Sequence, residues 1–415
     1  MSVIERALLP HIDIQTPDYA SMGFVLGLSR LGDKLGANTD AGTGAFVLGV
    51  NILGDTFGEP PAPVSRWLTW IRNATEITIK RGFVRRGIGL RTDVGIMTFT
   101  LKNDQDPLTG GTFAPGQLVR AVQQTFIGPR ALFTGTVTDV RATYVLDKQS
   151  GDLTTGTIVT VSDAVLTHSQ TMRYGVRISS GSEIFEERIA RLEATSRVPL
   201  AVPPRNSAAG AYEQLLRSTV YESDLASHFD LACNSVGAAW FADVDNVTRF
   251  TAPTTALPVS VVFSDTAQDG ALLYVDIDAG YDTRSLVNVL DATNHGIGED
   301  GLAGDDELSV SNPESVSLYG PRREDIDVNI YTGVPYDLGL THRLADVLAA
   351  GDKPNRIIRS VVWNAQQNID AAPSLELGQR ARVEFNGTVQ DSRLIGLEHQ
   401  ITATRWMVTA KFSTI

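Results

Sequence analysis

The chain has 415 residues, with 35 Lys and Arg against 48 Asp and Glu for a formal charge of −13, and 42% of its residues are apolar. This composition is globular rather than disordered. The acidic balance argues against a surface that grips DNA, which needs clustered Lys and Arg to release phosphate counterions. One cysteine, Cys233, excludes an internal disulfide framework and a cysteine-based zinc site within a single chain. At about 100–200 residues per domain the length predicts two to four domains. No window approaches the roughly 18 uninterrupted apolar residues of a membrane span. The start, MSVIERALLPHID, sets Glu5 and Arg6 inside the first apolar stretch, so neither a signal peptide nor a transmembrane helix is expected.

The first 70 residues are the least regular, with GDKLGANTDAGTG (32–44), a short apolar run AFVLGVNIL (45–53) and a proline cluster EPPAPVSRW (59–67). They read as a leader, 1–70, that packs late or on a neighbour, because long structureless stretches inside one compact domain are uncommon. From residue 71 onward, ATEITIKRGFV, DVGIMTFTLKN, GQLVRAVQQTF, ALFTGTVTDVRATYV and GTIVTVSDAVL are each bounded by Gly, Pro, Asn or Asp. Such strands at short spacing predict a small antiparallel barrel or sandwich. Between 183 and 236 the period becomes helical, through Phe185, Ile189 and Leu192, then Tyr212, Leu215, Leu216 and Thr219, then Leu225, Phe229 and Ala232. AAWFADVDNVTRFTAP (238–253) reads as a hairpin by its turn chemistry.

Further strands are expected at VSVVFS, ALLYVDID and RSLVNVLDAT. Leu340, Leu344, Val347 and Leu348 mark one helix, opened by Asp337 or Thr341 and closed by Gly351 and Pro354. Near the C-terminus Ala381, Val383 and Phe385 alternate with Arg380, Arg382 and Glu384. Trp406, Val408, Ala410 and Phe412 alternate with Met407, Thr409 and Lys411, a half-buried strand pattern twice over.

The chemistry-bearing residues form no constellation. His11, His168, His228, His295, His342 and His399 are scattered and none lies in an HExxH context. His228 and Cys233 sit five apart on a predicted helix and therefore on different faces. No GxSxG, SxxK or phosphate-loop pattern occurs. The densest acidic stretch, GEDGLAGDDELS (298–309), carries Glu299, Asp300, Asp305, Asp306 and Glu307, but its spacing is not that of an EF-hand, so it reads as a solvated loop. Asp243 and Asp245 begin a similar pattern that Val247 interrupts. Trp67, Trp70, Trp240, Trp363 and Trp406 fall in strand-like apolar contexts and read as core or interface anchors. No catalytic, cofactor-binding or metal-ligating residue is therefore expected.

Several phrases occur in a fixed order. They are DVGIMTFTLKNDQDPLTGGTFAPGQLVRA (93–121), RIARLEA (188–194), LLRSTVYESD through to AWFADVDNVTRFTAP (215–253), SLVNVLDAT, ESVSLYGPRRED (314–325), THRLADVLA, and LELGQRARVEFNG through to TRWMVTAKFS (375–413). In that order they resemble the minor tail proteins of long-tailed bacteriophages that form the baseplate hub at the tail tip; the leader departs from that pattern. The resemblance implies a mainly β fold with inserted short helices (α+β), built as two tube-like β-barrel hub domains from discontinuous segments. The expected division is 1–70 leader or arm, 71–165 first barrel, 166–255 helical and hairpin domain, 256–335 strand-rich inserted domain, and 336–415 helix plus strands completing the second barrel.

It also implies a homotrimer on the sixfold tail tube, bounding a channel that gates DNA ejection. Expected partners are other copies of the chain, the distal tail protein and tail tube, the tape measure protein, and central fibre or tip proteins. DNA passes without specific binding, and no cofactor or enzymatic activity is implied. The location would be the virion tail tip, with assembly in the host cytoplasm. The rival readings are a tail-associated cell-wall or glycan hydrolase and a host-surface binding module.

Overall fold

The computed structural model describes residues 10–17, 65–70, 74–86, 89–102, 113–146, 153–174, 182–193, 196, 198–203, 215–218, 222–251, 258–268, 270–282, 286–296, 304–332 and 339–414. Alternating β-branched and polar residues produce eight strands in the first part of the chain. These are β1 (His11–Pro17), β2 (Ser65–Trp70), β3 (Ala74–Arg86), β4 (Gly89–Thr92), β5 (Ile96–Lys102), β6 (Leu118–Thr125), β7 (Gly128–Leu146) and β8 (Leu153–Ser162). They pair in the order β2-β1-β6-β7-β8-β5-β3, with β4 alongside β3. β7 serves two partners in succession: Gly128 to Thr136 pairs with β6, and Thr136 to Leu146 with β8.

Period 3.6 then takes over. α1 (Ala164–Gln170) is followed by β9 (Met172–Tyr174), β10 (Ser182–Glu183), α2 (Phe185–Glu193), β11 (Leu216–Arg217), β12 (Glu222–Asp224) and α3 (Leu225–Val236). Asp224 caps α3 by accepting from Ser227 N, and Gly237 ends it in the left-handed region. β13 (Ala239–Ala242) and β14 (Thr248–Thr251) form the expected hairpin. Its turn is closed by Asp243, whose Oδ1 accepts from Asp245 N at 3.0 Å and Val247 N at 2.9 Å while Oδ2 accepts from Arg249 Nε, so this carboxylate is spent within its own hairpin. The turn residue Asn246 also accepts from Ala164 N at 2.6 Å and helps to cap α1.

β15 (Val259–Ser264) and β16 (Ala271–Asp282) come next. The chain then builds a three-stranded sheet from β17 (Val289–Asn294), β18 (Asp306–Ser311) and β19 (Arg323–Val328), with α4 (Pro313–Tyr319) between the last two strands and α5 (Gly339–Gly351) packed against the sheet. It returns with β20 (Asn355–Asn364), β21 (Arg380–Phe385), β22 (Thr388–Ile401) and β23 (Trp406–Thr414). The order β22-β21-β15-β16-β20-β23, with β23 pairing back onto β22, closes a six-stranded barrel.

β22 also pairs with β3, so the barrel and the first sheet share one seam. There Gly82 faces Gly396, and a Cβ on Gly82 would stand 2.6 Å from the Ile395 carbonyl oxygen. One apolar core runs through both β units, joining Phe99, Phe133 and Val161 to Phe263, Trp363 and Trp406. A second core holds α1 to α3 around Phe185, Phe229 and Trp240, and a third holds α5 on its sheet through Leu290, Leu344 and Leu348.

Five expectations change. Residues 11–17 and 65–70 of the expected leader are strands of the first sheet, β1 lying between β2 and β6; the rest of 1–70 lies outside the described residues. The expected inserted domain, 256–335, is divided: β15 and β16 belong to the closed barrel, and only 286–330 forms the separate sheet. Conversely, α5 belongs with that sheet rather than with the barrel of 336–415. Alternation fixes which face of a strand is buried but carries no information on which sheet receives it. The helix expected through Leu215 and Leu216 is instead the two-residue strand β11, because Leu216 pairs with Glu183; Tyr212 and Thr219 lie outside the described residues. Thr341 falls inside α5 rather than at its cap, and Asp337 is outside the described residues.

Candidate assembly interface

Three of the six histidines and the one cysteine are buried, and their surroundings hold them uncharged. His168, on the buried side of α1, has Nε2 2.7 Å from Thr248 Oγ1, its ring 5.1 Å from Phe229 and 5.8 Å from Trp240 in edge-on geometry. Burial depresses its pKa to about 4, so it stays neutral. His228 on α3 is depressed to about 4 by burial first and then by the Arg188 charge. His399 on β22 accepts from Trp406 Nε1 at 3.3 Å, and burial, reinforced by Arg81, takes it to about 3. Cys233 is buried on α3, and desolvation raises its thiol well above the ordinary value, so it is not a poised nucleophile. His228 and Cys233 both face inward on α3. Among the described residues no three His, Cys, Asp or Glu side chains are grouped to hold a metal ion.

The buried charges instead join structural units. Arg81 sits on the inward face of β3, where alternation would place an apolar residue. Its Nη2 donates to Ala242 O at 2.8 Å and to Glu376 Oε1, and Glu376 Oε2 accepts from Val244 N at 3.3 Å. One ion pair thus ties the first sheet, the β13–β14 hairpin and the segment leading into β21. Arg188 on α2 does the same elsewhere, donating to Glu183, to Arg217 O at 2.7 Å and to Asn329 Oδ1 at 3.1 Å. Desolvation raises the buried Asp163, which caps α1, to about 7 against the pull of Arg81. Sequence pattern gave no signal for these junctions, because Arg81 and Glu376, and Arg188 and Asn329, lie far apart along the chain.

The expected tryptophan anchors are found in two environments. Trp240, Trp363 and Trp406 are buried in the cores. Trp67 is half-buried under the Arg120 guanidinium, 4.2 Å from its ring centroid, while Arg120 Nε and Nη2 both donate to Asp13 at 3.0 and 2.9 Å; the side chain of Trp70 is outside the described residues. Of the acidic stretch 298–309, Asp305 pairs with His295 at 3.2 Å and Asp306 with Arg217; residues 298–303 are outside the described residues. The outer surface also presents large apolar side chains, Phe126 and Ile127 in the turn between β6 and β7 and Val275, Tyr281, Leu318 and Val389 on strands and a helix. Exposed large apolar groups of this kind are the chemistry of contact with another protein.

No family model and no curated protein matches the sequence. Among solved structures, the tail protein from Neisseria meningitidis MC58 superimposes with a TM-score of 0.54 at 10% identity, covering 83% of this chain and 93% of that one. The 43 kDa tail protein of prophage MuSo2 from Shewanella oneidensis gives a TM-score of 0.52 at 10% identity, with 84% and 96% covered. The chain has the fold of these tail proteins. The tail-protein fold here is the mainly β architecture just described, a closed six-stranded barrel sharing a strand seam with a second sheet.

Proposed function

We propose that this chain is a structural component of a phage tail, placed at the baseplate hub. The observation that carries the reading is the fold likeness over most of both chains to the two tail proteins, each matched nearly end to end. The chemistry supports it: buried histidines kept neutral, a buried thiol held protonated, and charged residues used to tie units together rather than gathered in a cleft. An assembly part works through interfaces, and rigid barrels with inert interiors are suited to that.

In this reading three copies stack beneath the sixfold tail tube and surround a channel, with the distal tail protein, tape measure protein and central fibre or tip proteins as neighbours. The net charge of −13 favours a lumen that repels phosphate, so DNA would pass without dwelling. Ejection is gated by movement of subunits, with no bond chemistry in this chain. The virion is its final location, after assembly in the host cytoplasm.

The test is a cryo-electron-microscopy reconstruction of the intact particle that contains the chain. A threefold ring with two β units per chain beneath a sixfold tube is the expected result. Density in a peripheral fibre would overturn the hub assignment in favour of host-surface binding, and peptidoglycan cleavage by the purified chain, abolished by a point substitution, would favour the hydrolase.

A further inference from the structure

The turn between β6 and β7 has the wrong composition for a turn that faces only water. Two-residue hairpin turns favour Gly, Asn and Asp, which take up the required backbone and solvate well. Here the two positions are Phe126 and Ile127, 91% and 82% exposed. The turn is held in place: Thr125 Oγ1 donates to Gly128 O at 2.7 Å and accepts from Ile127 N at 3.3 Å, and Phe126 N donates to Asp370 Oδ1 at 3.2 Å. Its side chains are thus presented outward by a fixed backbone. Arg130, just beyond the tip on β7, is exposed and makes no ion pair among the described residues.

A matching surface exists elsewhere on the chain. In the ring of the closed barrel β16 stands opposite β22, the strand that carries the seam, so its outer face points away from the first sheet. On that side Asp276 and Asp278, which flank the core-packed Ile277, are exposed, and Val275, 58% exposed, stands beside them at the bulge between Tyr274 and Asp276. Asp278 is paired only at the surface, 3.3 Å from Arg359. The tip offers two apolar groups and a guanidinium; the face offers an apolar group and two carboxylates. Both stay exposed in the single chain, so neither satisfies the other within it.

We propose that Phe126 and Ile127 of one chain dock on the outer face of β16 of a second copy, with Arg130 set against Asp276 and Asp278. Such a contact is head-to-tail, using different patches on the two partners, and repeated contacts of this kind close into rings. The apolar pair supplies the buried centre and the charges set the register. The inference deepens the assembly reading by naming one partner, but it rests on these two surfaces and is tested separately.

Ile127→Cys and Val275→Cys chains are purified, mixed at high concentration and oxidised, Cys233 being buried and left in place. A disulfide-linked dimer is expected from the mixture and not from either chain alone. Adding Arg130→Glu to the first chain is expected to lower the yield about tenfold, a change equal to one decade in affinity. Asp276→Arg with Asp278→Arg in the second chain should restore it. All these positions are exposed, and matching circular dichroism spectra would confirm that the variants fold. No trapped dimer, or one formed by Ile127→Cys alone, overturns the proposal; the hub reading would still stand or fall on the particle reconstruction.

Discussion

His399, His168 and His228 are the residues whose burial has the clearest measurable consequence. Their folded values of about 3, 4 and 4 lie below the ordinary 6.5, so the unfolded chain takes up protons that the folded chain refuses. Their contribution to stability is present above about pH 6.5 and is lost as the pH falls towards 4. Asp163 and Asp230, raised from 3.8 to about 7 and about 6, act in the opposite sense, since the folded chain holds their protons longer. Near pH 5 three groups oppose two, so stability should fall on acidification with a slope of about one proton. Urea unfolding at a series of pH values checks this, and His399→Gln should bring the slope near zero. A slope that rises on acidification in the parent chain would contradict the assignment of these histidines as buried and neutral. The six histidines were legible as scattered and unlike a metal site; which of them are buried was not, because a lone His in a strand pattern carries no signal of its depth.

At the scale of elements the decisive feature is the seam between β3 and β22. Paired strands normally tolerate a side chain at each position, but Gly82 has φ of 157° and its absent Cβ would stand 2.6 Å from a backbone oxygen that cannot retreat without opening the ladder. Gly82→Val should therefore destabilise by roughly 2–3 kcal/mol through strain and overpacking. Gly116→Ala is the control. It also has positive φ, 92°, but nothing lies within 4 Å of its Cβ position, so only about 1 kcal/mol is expected. Denaturant midpoints of the two variants separate crowding from backbone preference. The strands themselves were plain in the sequence: ATEITIKRGFV became β3 and ALFTGTVTDVRATYV became most of β7. The helix expected at Leu215 and Leu216 failed because an apolar pair that fits a 3.6 period fits a short strand equally well.

Across the whole molecule the two β units share one core, so they should melt together. Removing Glu376 as Glu376→Gln leaves the Arg81 guanidinium, 3% exposed, without its counter-charge. The expected loss is roughly 3 kcal/mol, the scale for breaking one partner of a buried pair. Because Phe99 and Phe133 lie in the same cluster as Trp363 and Trp406, tryptophan fluorescence and far-ultraviolet circular dichroism should still report one transition. Two separated transitions would show that the ion pair, rather than the continuous core, couples the units. The overall class, mainly β with inserted helices, was available from the run of short bounded strands and the helical period at Phe185 and Leu225.

The sequence by itself determined local matters: that runs such as ATEITIKRGFV become strands, that Leu225, Phe229 and Ala232 share a helix, and that the 238–253 segment turns back on itself. Each depends on residues a few positions apart, where backbone preference and side-chain period act directly. Only the tertiary structure decided the partners. That β1 joins the first sheet, that β15 and β16 close a barrel with strands about a hundred residues later, and that Arg81 meets Glu376 are all contacts between distant segments. A strand's alternation is satisfied by any sheet that covers its apolar face, so the choice among sheets belongs to the packing of the whole chain.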